Sequence, residues 1–407
     1  MSSGIRIKRW FILGTFGISV CSFGATFFVR RIFLLSFPDF LPWYWEGILL
    51  LSVGIVTITL ALIGLYRTLA PFIIGNSSIE SMGNKLYTRM SRDKGPKIVA
   101  IGGGTGLSVL LKGLKRHTNN LTAIIGVSDD GGSSGILRRE LGVLPPGDFR
   151  NCIVAMSDEE SLLPELLQYR FTQGNGLKGH SFGNLFITAM SQVSGSFENA
   201  LQESSRVLAV QGQIIPATTE NLKLFATLKS GEIIEGESKI TEHGGLIEEV
   251  SIKPKKAAAY PKAVDAINNA DILVLGPGSL FTSILPNLMV PGIRSAINSS
   301  NSTKIYVCNV ATEIGETGGF TVSDHVKALQ NHTNQAIVEW IAANNNITDI
   351  GSDFRGESVK LPNEKIEHAK VLIRDVLDVD HPVRHDPDKL AALILEINSI
   401  ASKNRRH

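Results

Sequence analysis

Cysteine is scarce in this chain. Only Cys21, Cys152 and Cys308 occur in 407 residues, far apart and without a CxxC pair. That excludes a disulfide framework and a cysteine zinc cage, and it fits a reducing compartment for the two downstream residues. An excess of charge is also missing. The formal net charge is +2, so nothing electrostatic draws the chain to nucleic acid. Apolar residues make up 43% and charged residues 19%, which excludes global disorder and permits a large core. Internal repeats and low-complexity tracts are lacking as well.

Charge is wholly absent from two stretches, Trp10 to Val29 and Gly47 to Tyr66. At ~1.5 Å rise per residue, each matches the roughly 30 Å hydrocarbon core of a bilayer. A signal peptide is the competing reading of the first stretch. Its run is long for an apolar signal core, and Phe27-Phe28-Val29-Arg30-Arg31 is a poor small-residue cleavage site. The pattern therefore predicts a two-helix transmembrane hairpin over residues 1–75, with the lipid bilayer as partner. The connection carries Phe37, Phe40, Trp43, Tyr44 and Trp45, an aromatic set suited to the headgroup layer. Arg6, Lys8 and Arg9 precede the first span, and Arg67, Lys85, Arg89, Arg92 and Lys94 follow the second. Only Arg30 and Arg31 lie between, so both ends are assigned to the cytoplasm. The expected location is the cell membrane, multi-pass, with the rest of the chain on the cytoplasmic side. No acidic or basic residue lies inside either span, so they read as an anchor, not an ion pathway.

A polar linker over 76–95 separates this anchor from a part that reads as α/β. Lys97 to Ile101, Leu121 to Val127, Ile272 to Leu275 and Ile305 to Cys308 are short apolar runs. Helical spacing lies between them, as in Phe182 to Val193, Asn199 to Leu208 and Pro261 to Ala270. Buried strands alternating with helices predict a mostly parallel sheet covered on both faces. Residues 211–253 break that rhythm with short segments split by Ser-Gly and Gly-Gly, the pattern of an inserted antiparallel β region. The main domain is read as 96–345. Residues 346–407 are read as a C-terminal extension completing it, with a last helix near Leu390 to Ile400.

Candidate chemistry sits in the loops. Gly102-Gly103-Gly104-Thr105-Gly106 joins a strand to a helix. Glycines let the backbone approach a pyrophosphate, and a helix start presents unpaired N–H groups. The third glycine of the dinucleotide fingerprint is absent, since Leu107 stands there, and no Gly-Lys-Ser/Thr follows, so this is not a P-loop. A bare turn is the bland alternative. Asp129-Asp130-Gly131-Gly132-Ser133-Ser134-Gly135 closes the next strand. Asp129 stands where an acid can take ribose hydroxyls, and the Asp129–Asp130 pair is also a candidate Mg²⁺ site; helix capping by Ser133 and Ser134 is the bland account. Asp148 can be a simple N-cap, while Arg150 and Asn151 can reach a phosphate or sugar. His180 is a candidate acid/base and Asn184 a candidate reader of polar groups. Gly276-Pro277-Gly278-Ser279 forms a second strand–glycine–helix unit, and two such turns in one sheet point to a crevice. The carboxylates in Thr312 to Thr317 are candidates for the same edge.

Taken in order, Gly102 to Gly106, Asp129 to Gly135, Pro145-Pro146-Gly147-Asp148, Gly179-His180-Ser181 with Gly183-Asn184, and Gly276 to Ser283 resemble the bacterial gluconeogenesis factor family. That family is related to the 2-phospho-L-lactate transferases of deazaflavin coenzyme synthesis. The resemblance runs from about Lys97 to the Ala328 region. It implies a Rossmann-like fold, binding of a UDP-sugar such as UDP-N-acetylglucosamine, and a role in carbon use, cell shape and envelope synthesis. The residues it carries over are Thr105, Asp129, Asp130, Asn151, Asn184, Gly278 and Ser279; with Gly103, Gly104, Gly106 and His180 they make the expected ligand site. Ser128 stands where threonine is usual, and Val310 to Ile314 departs from the usual Val-Met-Thr-Gln run, which bears on sugar or acceptor selectivity.

Two readings follow from the resemblance, a UDP-sugar-binding regulator and a Mg²⁺-dependent transferase, and whether any reaction is catalysed stays open between them. No cofactor is required by the first. An NAD-dependent oxidoreductase lacks a Tyr-Lys or Ser-His set. Self-association into a homo-oligomer is compatible with the sequence and not specified by it.

Overall fold

The computed structural model describes residues 6–32, 43–73, 92–157, 162–347, 350, 356–362 and 365–405. The chain forms two compact units, residues 1–93 and 94–407. Phe37, Phe40, Lys85, Arg89 and most of the linker expected over 76–95 lie outside the described residues.

The first unit is a pair of helices, α1 (Arg6–Ile32) and α2 (Trp43–Ile73). They run antiparallel along a seam of small residues. A Cβ on Gly17 would lie 2.9 Å from Ile58, one on Gly54 2.9 Å from the Cys21 amide, and one on Gly24 3.0 Å from the Leu51 amide. Glycine on this face is what lets the backbones approach. Large apolar side chains point the other way, with Phe11 65% and Leu62 60% exposed. In α2, Ile48–Tyr66 is long and apolar enough to cross a membrane, whereas α1 offers the shorter apolar stretch Trp10–Thr26.

The second unit holds a seven-stranded sheet ordered β10-β9-β8-β7-β1-β2-β3. The strands are β1 (Ile98–Gly102), β2 (Leu121–Ile125), β3 (Gln213–Pro216), β7 (Ile272–Leu275), β8 (Thr303–Val307), β9 (Trp340–Asn344) and β10 (Lys370–Arg374). Every pairing is parallel. β1 and β7 are central and buried along their full length, as β-branched and leucine side chains must be when helices cover both faces. This is the mostly parallel, Rossmann-like sheet expected from the alternating pattern. A separate antiparallel sheet, β5-β4-β6, uses β4 (Lys223–Leu228), β5 (Ile233–Glu235) and β6 (Ile247–Lys253).

One boundary is corrected. Residues 211–216 were expected in the antiparallel insertion, yet β3 pairs in parallel with β2, Thr122 opposite Gln213. Its Ile214, Ile215 and Pro216 are buried, and Pro216 is tolerated because β3 is an edge strand. The antiparallel part begins after it.

The helices that position the site are α3 (Gly104–Leu114), α4 (Gly132–Leu141), α5 (Gly147–Met156), α6 (Phe182–Ser194), α7 (Glu237–His243) and α8 (Pro387–Asn404). α3 buries Leu107, Leu110, Leu111 and Leu114 on one face, each worth about 1.5–3 kcal/mol of burial. α8 packs against its other side. A Cβ at Gly113 would sit 2.7 Å from the Pro387 carbonyl carbon, so glycine there admits the last helix. Asp386 caps α8, accepting from the amides of Asp388 and Lys389. The chain after 345 thus belongs to the second unit and supplies its outermost strand, β10.

Candidate functional site

From β1 the chain continues through β2 to β3 on one side, and from β7 through β8 to β10 on the other. The sheet therefore reverses its winding between β1 and β7, where parallel sheets open a crevice. Both strands end there in glycine turns. Gly104 sits at φ +65, a conformation glycine adopts without strain. A Cβ on Gly106 would lie 2.8 Å from the Pro277 carbonyl, so the two turns meet backbone to backbone.

Beside them lies a cleft of about 750 Å³, large enough for a nucleotide-sized ligand. Gly103 to Gly106 and Pro277 to Ser279 form one wall. The loop after β8, Asn309 to Ile314, forms the floor. Asn309 ties floor to wall: its Oδ1 accepts from Gly278 N (3.2 Å) and its Nδ2 donates to Gly278 O (3.0 Å). At one end of the floor comes the C-terminal strap Val383-Arg384-His385, where His385 Nε2 donates to Cys308 O at 3.2 Å. Burial pulls His385 down to about 4, so the ring is neutral. At the other end Thr241, Glu242 and Gly244 close the cleft, and a Gly315 Cβ would lie 2.7 Å from Thr241 O. Among the described lining residues, Arg384 is the only lysine or arginine.

The helix starts behind both glycine turns are met by the protein's own carboxylates. Asp148 accepts from the Gly104 amide; burial, then the charge of Asp129, raises it to about 6. It therefore caps α3 and not its own helix, whose N-cap is Pro146 without a side-chain bond. After the second turn, Glu316 accepts from Phe281 N (3.2 Å) and Thr282 Oγ1 (2.7 Å). Burial, then Glu313, raises it to about 7. Glu313 is also raised by burial, against a hydrogen bond from Ser279.

The other expected residues gather in a polar network outside the lining of this cleft. Arg150 donates through Nη1 to Ser181 Oγ (2.5 Å) and Asn184 Oδ1 (3.1 Å), and through Nη2 to Asn151 Oδ1 (2.8 Å). Asn184 Nδ2 donates to Ser133 Oγ (3.1 Å), which lies 2.8 Å from His180 Nδ1. Asp129 and Asp130 part company. Asp129 Oδ1 accepts from Gly131 N (2.9 Å), and burial raises its pKa. Asp130 Oδ1 instead takes the amide (3.0 Å) and hydroxyl (2.8 Å) of Ser238, holding the start of α7. Each acid has its own hydrogen-bond partner. Among the described residues no three His, Cys, Asp or Glu side chains are grouped to hold a metal.

Sequence reasoning thus named the residues of both turns and of the network but not several that line the cleft, among them Asn309, Thr241, Glu242, Arg384 and His385. Thr241 and Glu242 lie in a helix inside the region read as β. The last two carry no signal beyond the Asp386-Pro387 helix start.

Fold and cleft together define a Rossmann-like α/β protein with a candidate ligand crevice at the sheet's reversal point. The model of the family described as 2-phospho-L-lactate transferase CofD matches residues 98–399. The gluconeogenesis factor of Bacillus subtilis is 44% identical over 74% of this chain and 98% of its own. A gluconeogenesis factor relative from Nostoc sp. is 42% identical over 97% of this chain and 91% of its own. A crystal structure of a Bacillus halodurans protein, 42% identical, superposes with a TM-score of 0.70 over 74% of this chain and 100% of that one. The chain belongs to the CofD family and, within it, to the gluconeogenesis factors.

Proposed function

We propose that this chain is a membrane-anchored UDP-sugar-binding regulator of carbon use, cell shape and envelope synthesis, with UDP-N-acetylglucosamine as the first ligand to try. The observation that carries the reading is the cleft of about 750 Å³ between two touching glycine turns, with Arg384 as its cation. With Gly104 N taken by Asp148, the diphosphate uses the amides of Thr105 and Gly106 in the same first turn, which no intrahelical bond employs, and the Arg384 guanidinium. Asn151, His180 and Asn184 act behind this wall by fixing the loops that carry Asp129 and Asp148. The anchor reading rests on the outward apolar face and inward glycine seam of α1 and α2, an arrangement suited to lipid. The basic residues at both ends favour the cytoplasmic side for the second unit.

The test is a thermal shift of the full chain in detergent with UDP-N-acetylglucosamine, GDP, NAD and a deazaflavin. A ligand at ~100 times its Kd stabilises by roughly 2.7 kcal/mol, and no response to any nucleotide would sink the reading. Arg384→Ala should weaken UDP-N-acetylglucosamine ~10–100-fold in calorimetry, the loss of a charge-assisted phosphate contact. The family match favours a second reading, a transferase moving a phospholactyl group to a deazaflavin. Asp129 alone, bridged by Mg²⁺ to substrate phosphates, is the carboxylate it would use. Mg²⁺-dependent turnover of a guanylylated phospholactate would promote it.

A further inference from the structure

The cleft is lined by charges of both signs. Its floor loop begins after Cys308, where His385 anchors the strap carrying Arg384, and ends at Gly315, where the end of α7 abuts it. Arg384 and Glu242 thus come to the same cleft from different segments. The remaining lining acid, Glu313, is already engaged, receiving Asn309 Nδ2 at 3.3 Å and the Ser279 hydroxyl. Glu242 differs from it. Among the described residues its carboxylate has no hydrogen-bond or ion-pair partner, and the residue is exposed. Its position is nevertheless held firmly. Asp130 binds Ser238 at the start of α7, and Ser128 Oγ donates to Glu237 at 2.9 Å. At its other end Thr241 Oγ1 lies 3.4 Å from Glu316 Oε1.

A carboxylate held at a cleft mouth without an internal partner offers up to four acceptor positions to hydroxyl groups. It repels a second acid brought to the same place, which costs affinity without any clash of shape. We infer that Glu242 is the specificity-determining residue of the cleft: it accepts hydrogen bonds from a neutral polyol or amide-bearing sugar on the α7 side of the cleft, and it rejects sugars that carry a carboxylate. This rests on the nucleotide-sugar reading above and names the class of sugar that the reading admits. The physical role of the inserted region follows. It brings a carboxylate to the α7 side of a cleft whose strap contributes Arg384, and so orients the ligand.

The experiment is calorimetric titration of the full chain with UDP-N-acetylglucosamine and UDP-glucuronate, at low and high salt. The wild-type protein should prefer the neutral sugar by ~10-fold at low salt, and the preference should narrow as salt screens the exposed carboxylate. Glu242→Gln should bring the two ligands within ~3-fold of each other, and Glu242→Lys should invert the order. Because Glu242 is exposed and has no hydrogen-bond or ion-pair partner among the described residues, both variants should keep the wild-type melting temperature. Equal binding of the two sugars by the wild type, or an unchanged preference in Glu242→Gln, overturns the inference while the nucleotide-sugar reading survives. Binding of neither sugar overturns both.

Discussion

The glycine turns after β1 and β7 look alike as sequence, yet the carboxylate behind each has a different character. Behind the first stands Asp148, half-buried and raised to about 6. Behind the second stands Glu316, 4% exposed, held by a backbone amide and a hydroxyl and raised to about 7. Both satisfy helix-start N–H groups that would otherwise be left without partners. Only Asp148 sits against the cleft-lining glycines; a Gly103 Cβ would meet it at 2.6 Å. Two similar turns have thus divided the labour. The second is locked from inside, and the first keeps its carboxylate where a ligand's charge is felt.

The largest expected effect comes from driving the turns apart. Gly106→Val would press a side chain into the Pro277 carbonyl, already 2.8 Å from a Cβ. The cost should be on the order of 4 kcal/mol, read as a lower midpoint in urea together with loss of nucleotide binding. Wild-type stability would show that the turns are not in firm contact.

Next is the locked turn. Glu316 rises from its ordinary 4.5 to about 7 in the folded protein, so the native state holds its proton more tightly than the unfolded chain. That contribution is fully present below pH 4.5 and is lost as pH rises to about 7. The loss should be on the order of 3 kcal/mol. Urea titrations from pH 4.5 to 8 should find this slope in the wild type and a flatter one in Glu316→Gln; parallel curves would contradict the assignment.

The smallest effect belongs to the open turn. Asp148 ionises through about 6, and its charge then opposes an anion at the glycine loop. Affinity for UDP-N-acetylglucosamine should weaken ~3-fold as pH rises across that value. Asp148→Asn should bind more tightly at pH 8 and lose the pH dependence. A pH-independent wild type would make both turns alike.

Much of this arrangement was legible beforehand. β1 and β7 are buried apolar runs ending in glycine, a pattern that local physics makes distinctive. The start of α6 was legible from the helical spacing of Phe182 to Val193, and Ser181 caps it by accepting from Asn184 N. β3 was misassigned because Ile214-Ile215-Pro216 is short and flanked by Gly212, and no local feature distinguishes a parallel edge strand from a hairpin arm. β10 escaped notice because charged Lys370 and Arg374 bracket it, and only its pairing with β9 makes it a strand. Arg384 and His385 were invisible for a similar reason: the bond that places them reaches Cys308, distant in the chain.

The sequence alone therefore determined the parallel α/β core, the two glycine turns and the charge-free helical pair. Each follows from side-chain periodicity and backbone freedom, which act over a few residues. Tertiary structure decided which carboxylates close the helix starts, how Asp129 and Asp130 diverge, and that Arg384 and Glu242 line one cleft. Those depend on contacts between segments remote in the chain, and hydrogen bonds and charges act through distance in space, which local pattern does not encode.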